Sequence, residues 1–368
     1  MNRTLADKRE QSATEERKLS GNIFAVAPGV WRLKDIFVNI FIIQNREATG
    51  WVLVDTGLKT TGPKIKKMVE ELFGSAGSKP LAIVMTHGHF DHRGSLIDLA
   101  DEWDVPVYCH HMELPYLTGI ASYPPADPSV GGGLMATLSF VYPKGPINAE
   151  TYIKELPEDG SLPELADWRW IHTPGHTPGH ISLFRETDGV LIAGDAFVTT
   201  MQESLISVAT QAKVVCGPPK YFTPDWISAT SSVKELADLE PNVIVTGHGQ
   251  AFYGDEGRKA LHKLAKEFWQ KGIPANGRYV KEAAQFDENG IPTSIPAPRG
   301  NMAVRVLGAA ALLAIGYLVY KQRKSGSFAS NKLSEKLGKT LMTGSLQVLG
   351  ASAPASAALP ALPLIPAI

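Results

Sequence analysis

The sequence predicts an α/β fold built of two βα halves that face each other. Three observations carry that expectation. Apolar runs of strand length recur along residues 21–272, several of them are followed by stretches of helical period, and the strands and helices come in two broadly similar runs without a repeat of fixed length.

In chain order, residues 22–44 read as short extended runs rich in Val, Ile, Phe and Trp, broken at Pro28-Gly29 as in a hairpin. Residues 51–55 are another apolar strand, stopped by Thr56-Gly57. Lys64, Ile65, Met68, Val69 and Leu72 recur at helical spacing, and the unbroken apolar run 81–85 predicts a buried strand leading straight into Thr86-His-Gly-His-Phe-Asp-His92. A helix over 95–101 and a strand over 105–109 follow. Residues 112–147 then lose both periods, with Tyr-Pro-Pro, Asp-Pro and Gly131-Gly-Gly133 interrupting them; they predict a loop insertion, and long loops in compact domains often carry function. Strands are predicted at 168–172, 180–185 and 190–193, a helix at 225–239, a strand at 243–246 and a helix at 256–270. Residues 273–300 multiply proline and glycine and read as a linker, while residues 1–20 form a polar leader.

Composition narrows the function. The 36 Lys and Arg balance 37 Asp and Glu, and this near-neutral charge argues against a general nucleic-acid binder. The chain has two cysteines, Cys109 and Cys216, so neither a disulfide framework nor a cysteine-rich zinc site is available, and a metal has to be held by His and carboxylates. The leader has no apolar core of a secretory signal, which places the catalytic body in the cytoplasm.

Residues 296–368 hold eight Lys or Arg against one acid, so an acidic body is joined to a basic tail. Within the tail 301–368, residues 302–320 are apolar apart from Arg305, and at ~1.5 Å per residue such a helix barely crosses a ~30 Å hydrocarbon core. A transmembrane helix, an interfacial helix and a helix docked on the protein itself all remain open. Spanning from a cytoplasmic body puts Lys321, Arg323 and Lys324 outside, against the positive-inside tendency; an interfacial helix with its basic stretch on anionic lipid avoids that conflict.

The chemistry concentrates in a few places. His87-x-His89-x-Asp91-His92 sets three imidazoles and a carboxylate on one loop after a core strand, dense enough for a borderline metal. His176 in Thr173-Pro-Gly-His-Thr-Pro-Gly-His180, Asp195 in Leu-Ile-Ala-Gly-Asp and His248 in Val-Thr-Gly-His-Gly stand in equivalent contexts, each beyond a strand and beside glycine. Seven donors exceed the needs of one tetrahedral zinc and suit two metals with a shared carboxylate and an exchangeable water.

These residues resemble the metallo-β-lactamase fold superfamily, whose hallmark is a His-x-His-x-Asp-His loop followed by separate His, Asp and His; the resemblance covers roughly residues 22–270. It implies a four-layer αβ/βα sandwich, here followed by a C-terminal apolar helix. Carried over by position, His87, His89 and His176 bind a first metal, Asp91, His92 and His248 a second, and Asp195 bridges them. The Thr-Pro-Gly-His-Thr-Pro-Gly-His form is closer to the lactonase-like and glyoxalase-II-like branches than to true β-lactamases. The implied cofactor is two Zn²⁺, with iron or manganese as alternatives.

The implied activity is a dinuclear hydrolase whose bridging hydroxide attacks an ester, lactone or thioester carbonyl of a small metabolite. Asp91 is its catalytic residue, orienting the nucleophile and passing a proton to the leaving group. An iron-dependent oxidoreductase of the persulfide-dioxygenase type is the alternative on the same fold, and phosphodiester hydrolysis a third that the acidic body disfavours. The expected partner is a small-molecule substrate, without nucleic acid and with membrane association through the tail; oligomeric state is not legible.

Other residues carry less. Asp55 either fixes the tautomer of a ligating imidazole or merely forms the turn before Gly57. His172 and His180 read as strand histidines satisfied by neighbours, and His110, His111 and His262 as surface or packing residues. Cys216 reads as a small buried hydrophobe. Tyr116, Tyr123, Tyr221 and Phe222 are candidates for the pocket wall.

Overall fold

The computed structural model describes residues 15–74 and 79–298. An eight-stranded sheet runs in chain order through β1 (Arg17–Ser20), β2 (Ile23–Ala27), β3 (Val30–Asp35), β4 (Val38–Gln44), β5 (Trp51–Val54), β6 (Ala82–Val84), β7 (Val107–Cys109) and β8 (Ile153–Glu155). The first five strands pair antiparallel and the last three join in parallel. Parallel pairing needs crossovers, supplied by α1 (Gly62–Phe73) between β5 and β6 and α2 (Leu96–Trp103) between β6 and β7. A second sheet has the order β13-β12-β11-β10-β9, from β9 (Trp168–His172), β10 (Ile181–Arg185), β11 (Val190–Ile192), β12 (Val243–Val245) and β13 (Phe252–Tyr253).

Alternation along the strands explains the layering. In β5, Trp51 and Leu53 face the helices α1 and α2, while Val52 and Val54 face the other sheet. In the second sheet, Val190, Ile192, Val243 and Val245 face inward; Leu191 and Ile244 pack outward against α6 (Trp226–Asp238) and α7 (Gly254–Lys266). Because each of these strands is apolar on both faces, it has to be covered on both, and a helix-sheet-sheet-helix order results. That is the four-layer sandwich expected.

Several elements differ from the sequence reading. The leader ends in β1, which pairs with β2, and Glu16 meets the buried Arg32 at 2.6 Å. The helix expected over 256–270 breaks at Glu267 into α7 and the short α8 (Phe268–Lys271). Strands β8 and β13 and the helix α5 (Leu205–Thr210) lack the length that makes a period visible. The insertion contains two single-turn α-helices, α3 (Leu114–Leu117) and α4 (Leu134–Thr137), among turns and short 3-10 segments.

The stretch read as a linker is seated on the domain. It forms a hairpin of β14 (Gln285–Phe286) and β15 (Pro292–Ser294) and buries Tyr279 and Ala284. Tyr279 donates to Pro125 O at 2.6 Å, the Arg278 N–H to Asp127, and the Tyr116 hydroxyl to Gly290 O. Its proline and glycine mark turns of a bound strap that ties down the insertion. No helix among the described residues is long and apolar enough to cross a membrane. The tail 301–368 with its expected helix 302–320, and residues 1–14 of the leader, lie outside the described residues.

Candidate metal centre

Strands β9, β11 and β12 run in one direction within their sheet, and β5 and β6 in one direction within theirs. The loops leaving their C-terminal ends carry Asp55, the 86–92 loop, the 173–180 loop, Asp195 and His248. Parallel strands put their ends on one edge, which is why residues far apart in sequence meet. Three buried groups of potential ligand atoms lie within 4.8 Å of one another: His87, His89 and His176; His87, His92 and Asp195; and Asp91, His92 and His248. All seven residues singled out from the sequence are thus brought together, with Asp195 between the two outer trios.

Distances show how closely the potential ligand atoms approach one another. His248 Nε2 lies 3.1 Å from Asp195 Oδ2 and 3.6 Å from Asp91 Oδ2. His176 Nε2 is 3.4 Å from the same Asp195 oxygen and 2.9 Å from His89 Nδ1. Three fully buried atoms, His87 Nε2, His92 Nε2 and Asp195 Oδ1, have no hydrogen-bond partner. Leaving such atoms unsatisfied is costly, and their convergence fits a cation.

Electrostatics divides the centre into two halves. Burial, reinforced by the neighbouring imidazoles, holds His87 and His89 well below the usual imidazole range, and burial brings His176 down to about 3. Each of these shifts favours the neutral imidazole, the form that metal ligation requires. At His92 burial pulls the same way but Asp55 and Asp195 outweigh it, so its pKa stands well above the usual value; Asp195 and Asp91 likewise raise His248. Burial works against an ionised Asp195, yet His248 and His92 hold its carboxyl well below the usual range. Burial raises Asp91, opposed by His92 and His248.

Outer contacts fix the rings. Asp55 Oδ2 accepts from His92 Nδ1 at 2.7 Å, so His92 turns Nε2 toward Asp195. The same carboxylate accepts from Thr86 N and Oγ1 at 2.8 and 2.7 Å. Asp55 has φ 61°, a left-handed conformation that Asp tolerates better than most residues, and it serves the ring-fixing role rather than the turn alone. His248 Nδ1 donates to Phe37 O at 2.7 Å and its ring stacks on Phe37. The Asn39 amide donates to Thr246 O at 2.9 Å and Gly249 O at 2.8 Å, tying this turn to β4. A side chain at Gly247 would run into Asp195 Oδ1, so only glycine fits there.

His180 lies outside the converging atoms. Its Nε2 accepts the Asp195 N–H at 2.8 Å and its Nδ1 is 2.8 Å from Thr173 Oγ1, so it is satisfied by neighbours while positioning Asp195. Of the candidate wall residues, Tyr123 and Phe222 sit against His89 and, with Tyr279, line a recess of about 10 Å³ that opens on His89 and His176. Tyr116 stacks behind Tyr123, and Tyr221 packs on Tyr142. On the far side of Phe90, a groove of about 710 Å³ runs along Leu58, Lys59, Arg93, Ile97 and Ile147. Glu113, Asn39 and Tyr279 escape a sequence reading because none sits in a motif; a Glu just before a helix carries no signal of its own.

The sequence model of the metallo-beta-lactamase superfamily matches residues 33–248. The chain is 45% identical over 247 residues to the probable metallo-hydrolase YflN of Bacillus subtilis (strain 168), covering 67% of this chain and 93% of that protein. It is 26% identical over 177 residues to the probable metallo-hydrolase YybB of the same organism, covering 48% of this chain and 68% of that one. Among solved structures it is similar to the crystal structure of TTHA1623 in a di-iron-bound form, with TM-score 0.43 and 25% identity over 64% of this chain and 96% of that one.

Proposed function

Because the chain belongs to the metallo-beta-lactamase superfamily, we propose that it is a dinuclear metal-dependent hydrolase acting on an ester, lactone or thioester of a small metabolite. The observation that supports this reading best is the convergence of His87 Nε2, His92 Nε2 and Asp195 Oδ1, three buried polar atoms without a partner. His87, His89 and His176 would hold one divalent ion, Asp91, His92 and His248 a second, and Asp195 both. Bound there, the ions would supply an ionised water near neutral pH and polarise the scissile carbonyl.

The chain's own residues supply the rest. Asp91 is the most exposed of the seven, 7% against 3% or less for the others, which suits the residue that must meet substrate. Burial raises its pKa, and a carboxylate so placed can take a proton from the nucleophile and pass it to the leaving group. Phe222 stacks on His89 with ring centroids 4.5 Å apart and keeps water from that side of the imidazole. Phe90, between His89 and Asp91, carries the ligand loop to the apolar groove, where a nonpolar substituent of the substrate would lie.

Elemental analysis of the full chain purified without chelators, followed by a lactone and thioester panel, tests the proposal. Two zinc ions per chain with turnover of a panel member is the expected result. One iron per chain with oxygen uptake on thiol persulfides would overturn it in favour of oxygen chemistry, and a metal-free chain would overturn metal catalysis altogether.

A further inference from the structure

Glu113 lies at the start of the insertion, on the turn before α3, and its side chain is fully buried. Its two oxygens serve two different ligand loops. Oε2 accepts the Gly88 N–H at 2.9 Å, between His87 and His89, and also the Tyr123 hydroxyl. Oε1 accepts the Thr177 hydroxyl at 2.6 Å and the Gly179 N–H at 3.0 Å, just after His176. The Tyr123 hydroxyl itself accepts the Gly88 N–H at 2.9 Å, doubling the hold on the first loop.

All four partners are neutral donors, the complement of an ionised carboxylate, which only accepts. Burial raises the Glu113 pKa and the four hydrogen bonds oppose that rise. The glycines on either side make the approach possible. A Cβ at Gly179 would stand 2.8 Å from Glu113 Cγ, and one at Gly88 would stand 2.7 Å from the Tyr123 hydroxyl. Both loops are therefore shaped around this side chain rather than merely close to it.

We infer that Glu113 is a positioning residue that holds the 87–92 and 173–180 loops at the separation needed for His87, His89 and His176 to share one metal ion. The inference rests on the metal reading above. The two loops come from opposite sheets and are joined at their base, where the Ile181 N–H donates to Thr86 O at 3.0 Å, while the turns beside the ligands, at Gly88 and at Thr177 and Gly179, need a second tie. One carboxylate with an oxygen for each loop provides that tie. Gln at this position keeps the size but has a single acceptor oxygen. Whichever way the amide turns, its NH₂ faces the donors of one loop, so one loop is released.

The test compares metal affinity of the full-length wild type, Glu113→Gln, Thr177→Val and Tyr123→Phe by chelator competition with Zn²⁺. The absorption spectrum of the Co²⁺ forms reads ligand geometry separately from stability. Glu113→Gln is expected to weaken binding at one site by about 10–100-fold, the usual cost of losing an outer partner of a metal ligand, and to shift the Co²⁺ bands. Thr177→Val, which removes one bond, and Tyr123→Phe, which removes two, both leave the charge and are expected to weaken it by a few fold. Wild-type affinity and spectrum in Glu113→Gln would overturn the inference alone. Should that variant not fold, wild-type affinity in both Thr177→Val and Tyr123→Phe overturns it equally. A wild-type chain that binds neither Zn²⁺ nor Co²⁺ overturns this inference together with the hydrolase reading.

Discussion

Two histidine clusters lie close together in this protein, and they are built to opposite plans. In the first, His87, His89 and His176 stand edge to face, with interplanar angles of 89°, 82° and 83°, so their nitrogens converge on one point beside Asp195. In the second, His110 and His172 stack nearly flat, 4.1 Å apart at 13°, with His111 against the pair. Their nitrogens point to backbone instead: His110 Nδ1 accepts the Met112 N–H and His172 Nε2 donates to Pro178 O. Three imidazoles in contact are therefore not a metal site by virtue of number. Perpendicular rings, an unpartnered His87 Nε2 and a nearby carboxylate are what distinguish the first cluster.

Removing a converging group should break the contrast most strongly. His176→Ala or Asp195→Asn is expected to lose bound metal and hydrolysis together, by more than the about 100-fold that an outer partner costs. Elemental analysis beside a kinetic assay reads both, and retained metal in both variants would sink the assignment. Asp55→Asn should follow at about 10–100-fold in affinity, because it no longer fixes the His92 tautomer. Its effect should fall on the Asp91, His92 and His248 site, visible as one weakened ion in a chelator titration.

The second cluster should answer to pH and not to metal. Burial, with His172 and His111 nearby, lowers the His110 pKa to about 3, against 6.5 for the free side chain. Between those values the unfolded chain binds a proton that the folded one does not. Its stabilising contribution is thus complete above pH 6.5 and lost as pH falls toward 3. Replacing His110 with Gln should reduce the loss of stability between pH 6.5 and 5.5 by about 1 kcal/mol relative to wild type, measured by denaturant unfolding at those two pH values. Metal content of that variant should be unchanged, and a lost ion would show that the clusters are not separate.

Much of this was legible in the sequence, for reasons that can be named. The strands with full-length apolar runs and the helices α1, α2, α6 and α7 show their period because each buries a face against a continuous core. The seven residues of the centre stand out because few side chains bind borderline metals and each here follows a strand end. Short pieces left no such trace. Strand β13 spans two residues and is held by β12, and the strap at 273–298 reads as a linker because its partners, Pro125, Asp127 and Tyr116, lie in the insertion.

The sequence by itself determined the two facing βα halves and singled out the seven candidate donors, because apolar patterning and ligand chemistry are properties of single residues and their spacing, while the four-layer order followed from the family resemblance those residues carry. Tertiary structure alone decided which histidines converge and which stack, that Asp55 serves His92, and that Glu113 joins two loops. Gly88 lies 25 residues before Glu113, and Thr177 lies 64 after it. No local pattern encodes a carboxylate whose partners arrive from opposite sheets, since its role exists only once the two sheets have packed face to face.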